Sequence, residues 1–309
     1  MSIEKPTIEA KSEFSTFEKE PILVEYFPTT VEQARDGVRK FLEAQEKSSV
    51  FRKATAEDPD LLHAIAGLKP EIGFYWNAGF DKAETAEEKN ELLKTYEEIC
   101  GMKVLVWKTD QGETAYSLLN PESVARVIRN CPIEGLFPEE AVKNPMGWVT
   151  QNPKKWFERT GTYEDPRNSE VKKTISRFGI LSGYPPHGSS MFPEYIIVDD
   201  VFLDKKLTKN ERVAYNRYIH ADRKARKFPK SIEKKLSTAV AVEEVTAEQA
   251  DLVRKRFQFE DLWSKFGSGF SDKDEEYFKQ IQHIGSETGI DVTYSNDFFT
   301  MKKGDTPKW

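Results

Sequence analysis

The sequence predicts a helix-rich α+β fold with short mixed or antiparallel β-sheets. Helix-start signals recur along the whole chain, whereas the segments typical of strands are fewer and short. Strands and helices do not alternate regularly, so the order fits neither a doubly wound sheet nor an all-helical protein. With 309 residues, the chain is long enough for one large domain or two ordinary ones.

Capping boxes predict where several helices begin. In each box a threonine hydroxyl can accept from an early helix N–H, and a Glu or Gln three residues later reaches back. The threonines of these boxes are Thr30, Thr85, Thr208 and Thr246. Asn120-Pro121 and Asp165-Pro166 indicate further helix starts, with proline at the first helical position. A last helix is expected over residues 271–285.

Short apolar and aromatic segments are predicted as strands. They cover residues 21–27, 72–78, 103–109, 114–119, 194–203, 237–245 and 290–301. The segments 103–109 and 114–119 are expected to form a hairpin, because Asp110-Gln111-Gly112 between them is typical of a turn.

The predicted domain organisation is a flexible N-terminal tail followed by two lobes. The tail covers residues 1–20, and the two α+β lobes cover 21–150 and 151–309. Residues 144–168 are rich in Pro, Gly, Asn and Thr, which favours a boundary there. A single domain is the alternative.

Composition and charge favour a soluble cytoplasmic protein. The net charge of −6 and the pI of about 5.5 argue against nucleic acid as the default partner. No apolar run is long enough to span a membrane. Cys100 and Cys131 are too few for a disulfide scaffold, and both are expected to be inert thiols. The four histidines lack metal-ligand spacing, so no metal site is predicted, and no motif identifies a cofactor.

The stretch RFGILSGYPPHGSS, residues 177–190, is the candidate site. Its first half predicts the end of an amphipathic helix, because Gly183 suits the left-handed backbone and two prolines prevent continuation. Its second half is expected to be a loop that offers N–H and hydroxyl donors to an anionic or phosphorylated small molecule. The ligand-binding residues would be Arg177, Gly188, Ser189 and Ser190.

A catalytic interpretation of the same stretch assigns proton transfer to His187 or Asp200. An imidazole can give or take a proton near neutral pH, and Asp200 follows the strand predicted over 194–203. The alternative is ordinary turn chemistry, because neither a nucleophile elbow nor a phosphate-binding motif is present. The sequence therefore leaves open whether the protein is an enzyme.

Residues 205–235 carry the strongest electrostatic signal. Twelve Lys or Arg against three acids give this segment a net charge of +9, which leaves −15 for the rest of the chain. Its residues are expected to form one long helix that binds RNA or an acidic protein partner. The candidate polyanion-binding residues are Arg217, Arg223, Lys224, Arg226 and Lys227. The alternatives are a basic helix neutralised by the protein's own acidic surface, and an assembly protein that contacts only other proteins.

The densest aromatic stretch covers residues 71–80. Its aromatic side chains are Phe74, Tyr75, Trp76 and Phe80. A core strand is the favoured interpretation, and a ligand pocket is the alternative.

Overall fold

The computed structural model shows a helix-rich α+β fold, as the sequence predicts. It describes residues 25–56, 59–72, 77–108, 112–151, 167–222, 225–258 and 268–292. The predicted tail and the aromatic residues Phe74, Tyr75 and Trp76 lie outside these residues, as do Arg223 and Lys224.

The helices of the first half surround a small sheet. They are α1 (Val31–Lys47), α2 (Ser49–Thr55), α3 (Pro59–Ile65), α4 (Ala86–Lys94), α5 (Pro121–Arg129), α6 (Glu139–Lys143) and α7 (Pro145–Gln151). A 3-10 helix covers Asn77–Lys82, and a π-helical turn, Thr95–Ile99, follows α4.

The sheet of the described residues has three antiparallel strands. They are β1 (Glu71–Ile72), β2 (Lys103–Lys108) and β3 (Thr114–Leu119), in the order β1-β3-β2. The predicted hairpin is confirmed, since Lys103 pairs with Leu119 and Lys108 with Thr114. Of the predicted strand 72–78, Ile72 lies in β1 and residues 77–78 lie in the 3-10 helix. Residues 73–76 lie outside the described residues.

The described residues of the second half form mainly helices, with an isolated β-bridge between Phe257 and Gly269. Its helices are α8 (Ser169–Leu181), α9 (Pro186–Val198), α10 (Lys209–His220), α11 (Lys230–Ala241), α12 (Ala247–Lys255) and α13 (Asp272–Thr288). A π-helical turn, Asp199–Leu203, and a short helical turn, Asp204–Lys206, extend α9.

Two strand predictions are wrong. Residues 194–203 form the end of α9 and the π turn, and residues 237–241 lie in α11. Both segments are short apolar runs, which do not distinguish a strand from a buried helix by periodicity. Tyr195, Val198 and Phe202 are buried together in a helical cluster, so tertiary packing determines the outcome.

All four predicted capping boxes are confirmed. In each, the threonine hydroxyl accepts from the backbone N–H three residues on, and that residue's side chain bonds back. Asn120 caps α5 in the same way, with Pro121 at the first helical position. The helix expected from Asp165 begins at Ser169 instead, capped by Asn168.

Three hydrophobic clusters form the core. The first joins α1–α4 and one face of the sheet to α13. The second lies among α9–α12, and the third packs α5–α8 on the other face of the sheet. The first cluster thus contains residues from both predicted lobes, such as Phe41 and Ile284. Among the described helices, none has the length and apolar character needed to cross a membrane.

Candidate functional site

The first half of the stretch 177–190 ends a helix, as predicted. Gly183 follows α8 with a φ of +85°, which favours glycine. A Cβ there would lie 2.9 Å from the carbonyl oxygen of Leu68. The Tyr277 hydroxyl donates to the Gly183 carbonyl oxygen at 3.2 Å. This turn therefore connects α8 with the segment before β1 and with α13.

The second half is not a loop but the first turn of α9. Pro186 occupies the first helical position, so His187, Gly188 and Ser189 are helical. The Gly188 N–H donates to Asp274 Oδ1 at 2.8 Å. Asp274 comes from the first turn of α13, far away in sequence. A carboxylate of the protein itself thus occupies the N–H that was predicted to bind an anion.

The Asp274 carboxylate is fully buried and extensively hydrogen-bonded. Its Oδ2 accepts from the backbone N–H groups of Phe270 at 2.8 Å and Ser271 at 3.0 Å. The Ser271 hydroxyl also donates to Oδ2, at 3.0 Å. These bonds compensate for the removal of a charged group from water. They also join the starts of α9 and α13.

His187 lies next to this carboxylate. Its Nδ1 is 3.2 Å from Ser271 Oγ and 3.4 Å from Asp274 Oδ2. The donor and the acceptor of the contact between Ser271 Oγ and His187 Nδ1 depend on the imidazole tautomer; with its proton on Nδ1, the ring would donate toward Ser271 Oγ and the Asp274 carboxylate. Nε2 makes no hydrogen bond to a described residue, and a third of the side chain is exposed. The unprotonated Nε2 is then available to an external proton donor.

The two serines of the stretch are engaged differently. Ser190 Oγ donates to the carbonyl oxygen of His187 at 2.7 Å. The Ser189 side chain is buried against α8, where a Cβ on Gly179 would lie 2.7 Å from Ser189 Oγ. Neither hydroxyl contacts the His187 ring among the described residues.

Arg177 and Asp200 lie away from His187. The Arg177 Nε donates to the carbonyl oxygen of Leu136 at 2.6 Å, and its guanidinium lies 5.9 Å from the centroid of the Trp148 ring. Burial lowers the pKa of Arg177. Asp200 is exposed beside Lys205 at the opposite end of α9 from His187, about 20 Å along a 13-residue helix. The structure therefore does not bring the two predicted proton-transfer residues together.

Arg256 is a cation beside the start of α9 that the sequence analysis missed. Arg256 Nε donates to Ser268 Oγ at 3.2 Å, and the Ser268 carbonyl oxygen lies 2.7 Å from where a Gly188 Cβ would be. The Arg256 guanidinium also stacks on the Tyr195 ring, 4.2 Å from its centroid. Arg256 is half-buried and forms no ion pair with a described carboxylate.

The basic segment is not one long helix. It consists of α10 and α11, separated by residues 221–229, because Pro229 begins a new helix. Several of its cations are paired inside the protein: Lys235 with Glu211 at 2.7 Å and Arg212 with Asp204 at 2.8 Å. The interaction with Lys235, followed by the Thr208 capping bonds, lowers the pKa of Glu211 to about 2.

The predicted polyanion-binding residues divide into two groups. Arg226 donates to the carbonyl oxygens of Arg256 at 2.7 Å and Lys255 at 3.0 Å, and it lies over the Tyr218 ring. It therefore holds the segment after α10 in place. Arg217 and Lys227 are exposed and form no ion pair with the described residues.

A second group that the sequence analysis missed is a cluster of buried ionisable residues beneath Gly183. Asp60 and His63 lie on α3, with 3.7 Å between His63 Nδ1 and Asp60 Oδ1. Lys69 Nζ lies 3.4 Å from the same oxygen. Burial raises the pKa of Glu71 to about 8, Lys69 opposes this rise and the Asp60 charge adds to it. The sequence signal was the spacing of Asp60 and His63 on one helix face and the charges on both sides of Pro70.

Both cysteine thiols are shielded from solvent to a large degree. Burial raises the pKa of Cys100 to about 12 and also raises that of Cys131, so both thiols stay protonated at neutral pH. Within the described ranges, no group of three His, Cys, Asp or Glu could hold a metal ion.

Comparison of the chain with protein-family models, curated proteins and solved structures finds no match.

Proposed function

We propose that the protein is an acid–base enzyme that acts on a small anionic or phosphorylated molecule, with His187 as the proton-transfer group. The observation that carries the proposal is the contact of His187 Nδ1 with Ser271 Oγ and the buried Asp274 carboxylate. A ring held in this way presents Nε2 as a base in a fixed direction. Asp200 lies beyond the far end of α9 and has no part in this site. The carboxylate beside His187 is Asp274.

Arg256 is the proposed partner of the substrate's negative charge. Arg256 bonds to Ser268, and the Ser268 carbonyl oxygen lies against Gly188 at the start of α9. Its stacking on Tyr195 limits the motion of the guanidinium, which reduces the entropy lost when an anion binds. In the proposed reaction, Nε2 of His187 takes a proton from a substrate hydroxyl or from a water molecule, and the resulting imidazolium is stabilised by Asp274.

The first test is selective acylation of histidine by diethyl pyrocarbonate, whose carbonyl carbon is attacked by the unprotonated ring nitrogen. We expect His187 to react faster than His220 and His283, which are also half-exposed. Ser271→Ala removes the acceptor next to Nδ1 and should slow the reaction at His187 only. Peptide mass spectrometry gives the rate at each position. Equal rates at the three histidines would contradict the proposed orientation.

The second test is catalytic. Wild type, His187→Gln and Asp274→Asn are compared on a panel of chromogenic esters and phosphomonoesters. A general base of this kind contributes about 10²–10⁴-fold to the rate, so His187→Gln should lose most of the turnover. His283→Gln, which alters a half-exposed histidine on α13, is the matched control. Turnover that persists in His187→Gln would refute the assignment.

A second candidate function is RNA binding by the surface of α10 and α11. The observation that favours it is a set of exposed cations that form no ion pair with the described residues. They are Lys209, Arg217, Lys227, Lys230 and Lys234. Phosphate groups are the proposed partners of these cations, and binding would release counterions.

The salt dependence of RNA binding tests this second function. We expect the affinity of a fluorescent RNA oligonucleotide to fall steeply between 50 and about 200 mM salt. Arg217→Glu combined with Lys230→Glu should weaken it further. Lys89→Glu, an exposed change on α4, is the control for added negative charge. Binding to polyglutamate but not to RNA would instead indicate an acidic protein partner.

A further inference from the structure

A shallow surface cleft lies between the start of α1 and the face of α5. Its volume is about 460 Å³, and Gln33, Glu122, Arg126, Arg129 and Asn130 are among the residues that line it. The cleft is open to solvent, so a ligand there would be held by its polar contacts rather than by enclosure. The cleft is separate from the His187 region, because none of its lining residues belongs to α9 or α13.

Arg126 and Arg129 lie three residues apart and therefore on the same face of α5. Arg126 Nε donates to the carbonyl oxygen of Phe27 at 2.6 Å, and Arg129 Nε donates to that of Val142 at 3.4 Å. These bonds use the inner nitrogen of each guanidinium and leave the two outer nitrogens as donors. Neither arginine forms an ion pair with a carboxylate in the described part of the chain.

Glu122 is the acidic residue of the cleft, and it is held by another group. Four residues before Arg126 on α5, it is placed where an ion pair is ordinarily favourable. Its Oε2 instead accepts from Gln33 Nε2 at 3.1 Å. The cleft thus carries the positive charges of two arginines and the negative charge of one glutamate, and no ion pair joins Glu122 to either arginine.

We propose that this cleft is a binding site for a small oxyanion, either a carboxylate or a phosphate monoester. The outer nitrogens of Arg126 and Arg129 would bind its oxygens, because guanidinium groups match these planar or tetrahedral anions with paired hydrogen bonds. The 2.6 Å bond to the Phe27 carbonyl oxygen holds the half-buried Arg126 guanidinium in place before the ligand arrives. Such preorganisation reduces the entropic cost of binding.

The last turn of α5 offers an explanation that needs no ligand. Arginines there interact favourably with the negative end of the helix dipole. That interaction stabilises the helix whether or not an anion binds, so it predicts no change on addition of one. The two explanations therefore differ in their response to ligand.

The test is calorimetric titration of the whole chain with succinate, glycerol 3-phosphate and inorganic phosphate at constant ionic strength. We expect at least one of them to bind, and Arg129→Gln to weaken that binding by at least about tenfold. Arg129 is exposed, so this variant should fold normally, which circular dichroism checks. Arg126→Gln should weaken binding as well. Succinate alone would indicate a carboxylate ligand, and the two phosphates alone a phosphate ligand.

Arg52→Gln on α2 is the matched control, since Arg52 is an exposed arginine outside the cleft whose Nε also donates to a backbone carbonyl oxygen, that of Gln45, at 2.9 Å. It should leave the affinity unchanged. Equal affinity in wild type and Arg129→Gln would overturn the proposal, and so would the absence of binding by all three anions at about 20 mM, where a site of millimolar affinity is nearly full. The outcome is independent of the proposed role of His187.

Discussion

Glu71 is a carboxyl group enclosed in the protein at the edge of the sheet, beside Lys69 and Asp60. Its pKa of about 8 against an ordinary value of 4.5 means that the native state keeps the proton in a pH range where the unfolded chain has lost it. Stability should therefore fall as the pH rises from about 4.5 to about 8.

Glu71→Gln tests this dependence. The amide is neutral at every pH, so the variant should lack the loss of stability between pH 5 and about 8 that wild type shows. Urea unfolding at several pH values gives the free energies of unfolding. Glu276→Gln, at an exposed position of α13, is the control. Parallel curves for wild type and Glu71→Gln would show that the carboxyl ionises without cost inside the protein.

Asp274 is the residue whose loss should affect stability most clearly. Asp274→Ala leaves the N–H groups of Gly188, Phe270 and Ser271 without their acceptor. We expect a loss of about 3 kcal/mol or more, since each buried N–H left unpaired costs about 1–3 kcal/mol. Glu276→Ala in the same helix should change stability by less than about 0.5 kcal/mol. Similar unfolding midpoints for the two variants would contradict this.

The candidate site could be predicted from the sequence only in part. His187 stands out by its residue type and its neighbours, but 86 residues separate Gly188 from Asp274. No local pattern links positions that far apart, because folding brings them together. The same limit explains why the sequence points to Asp200, which is close to His187 along the chain, and not to Asp274.

At the scale of the element, backbone conformation and limited space both require glycine at position 183. The left-handed φ of +85° disfavours any side chain, and the Leu68 carbonyl oxygen leaves no room for one. Gly183→Ala should therefore destabilise the protein by about 1–3 kcal/mol beyond the backbone cost alone. Gly135→Ala isolates that backbone cost, because Gly135 has a φ of +67° and nothing within 4 Å. Thermal unfolding of both variants measures the difference in stability. Equal losses of stability would show that the Leu68 carbonyl group moves aside at little cost.

Helix starts were predictable because their physics is local. A capping box needs only a threonine and a Glu or Gln three residues on, and the boxes at Thr30, Thr85, Thr208 and Thr246 all form. The secondary structure of apolar runs without such signals could not be predicted in the same way. Residues 195–198 are apolar on consecutive positions, and the burial of Tyr195 and Val198 among α10 and α12 selects the helix.

At the scale of the molecule, α13 packs into the cluster formed mainly by residues 27–118. Ile281→Ala should destabilise that cluster by about 2–5 kcal/mol, because Ile281 is completely buried there. Hydrogen exchange then measures how the substitution changes the exchange rates of the backbone amides of α1. If its amides exchange faster in the variant, the ends of the chain unfold as one unit. Unchanged exchange in α1 would support the predicted division at residue 150.

The carboxylate of Asp274 acts as a tethered substitute for a dissolved anion at the start of α9. Because it belongs to the same chain, its effective concentration at the Gly188 N–H far exceeds the millimolar levels at which inorganic phosphate is present in ordinary buffers. A competing anion would have to displace it and leave a buried charge behind. The Gly188 N–H at the start of α9 should thus behave identically in phosphate and in anion-poor buffers, so a dissolved anion would bind this protein at other groups.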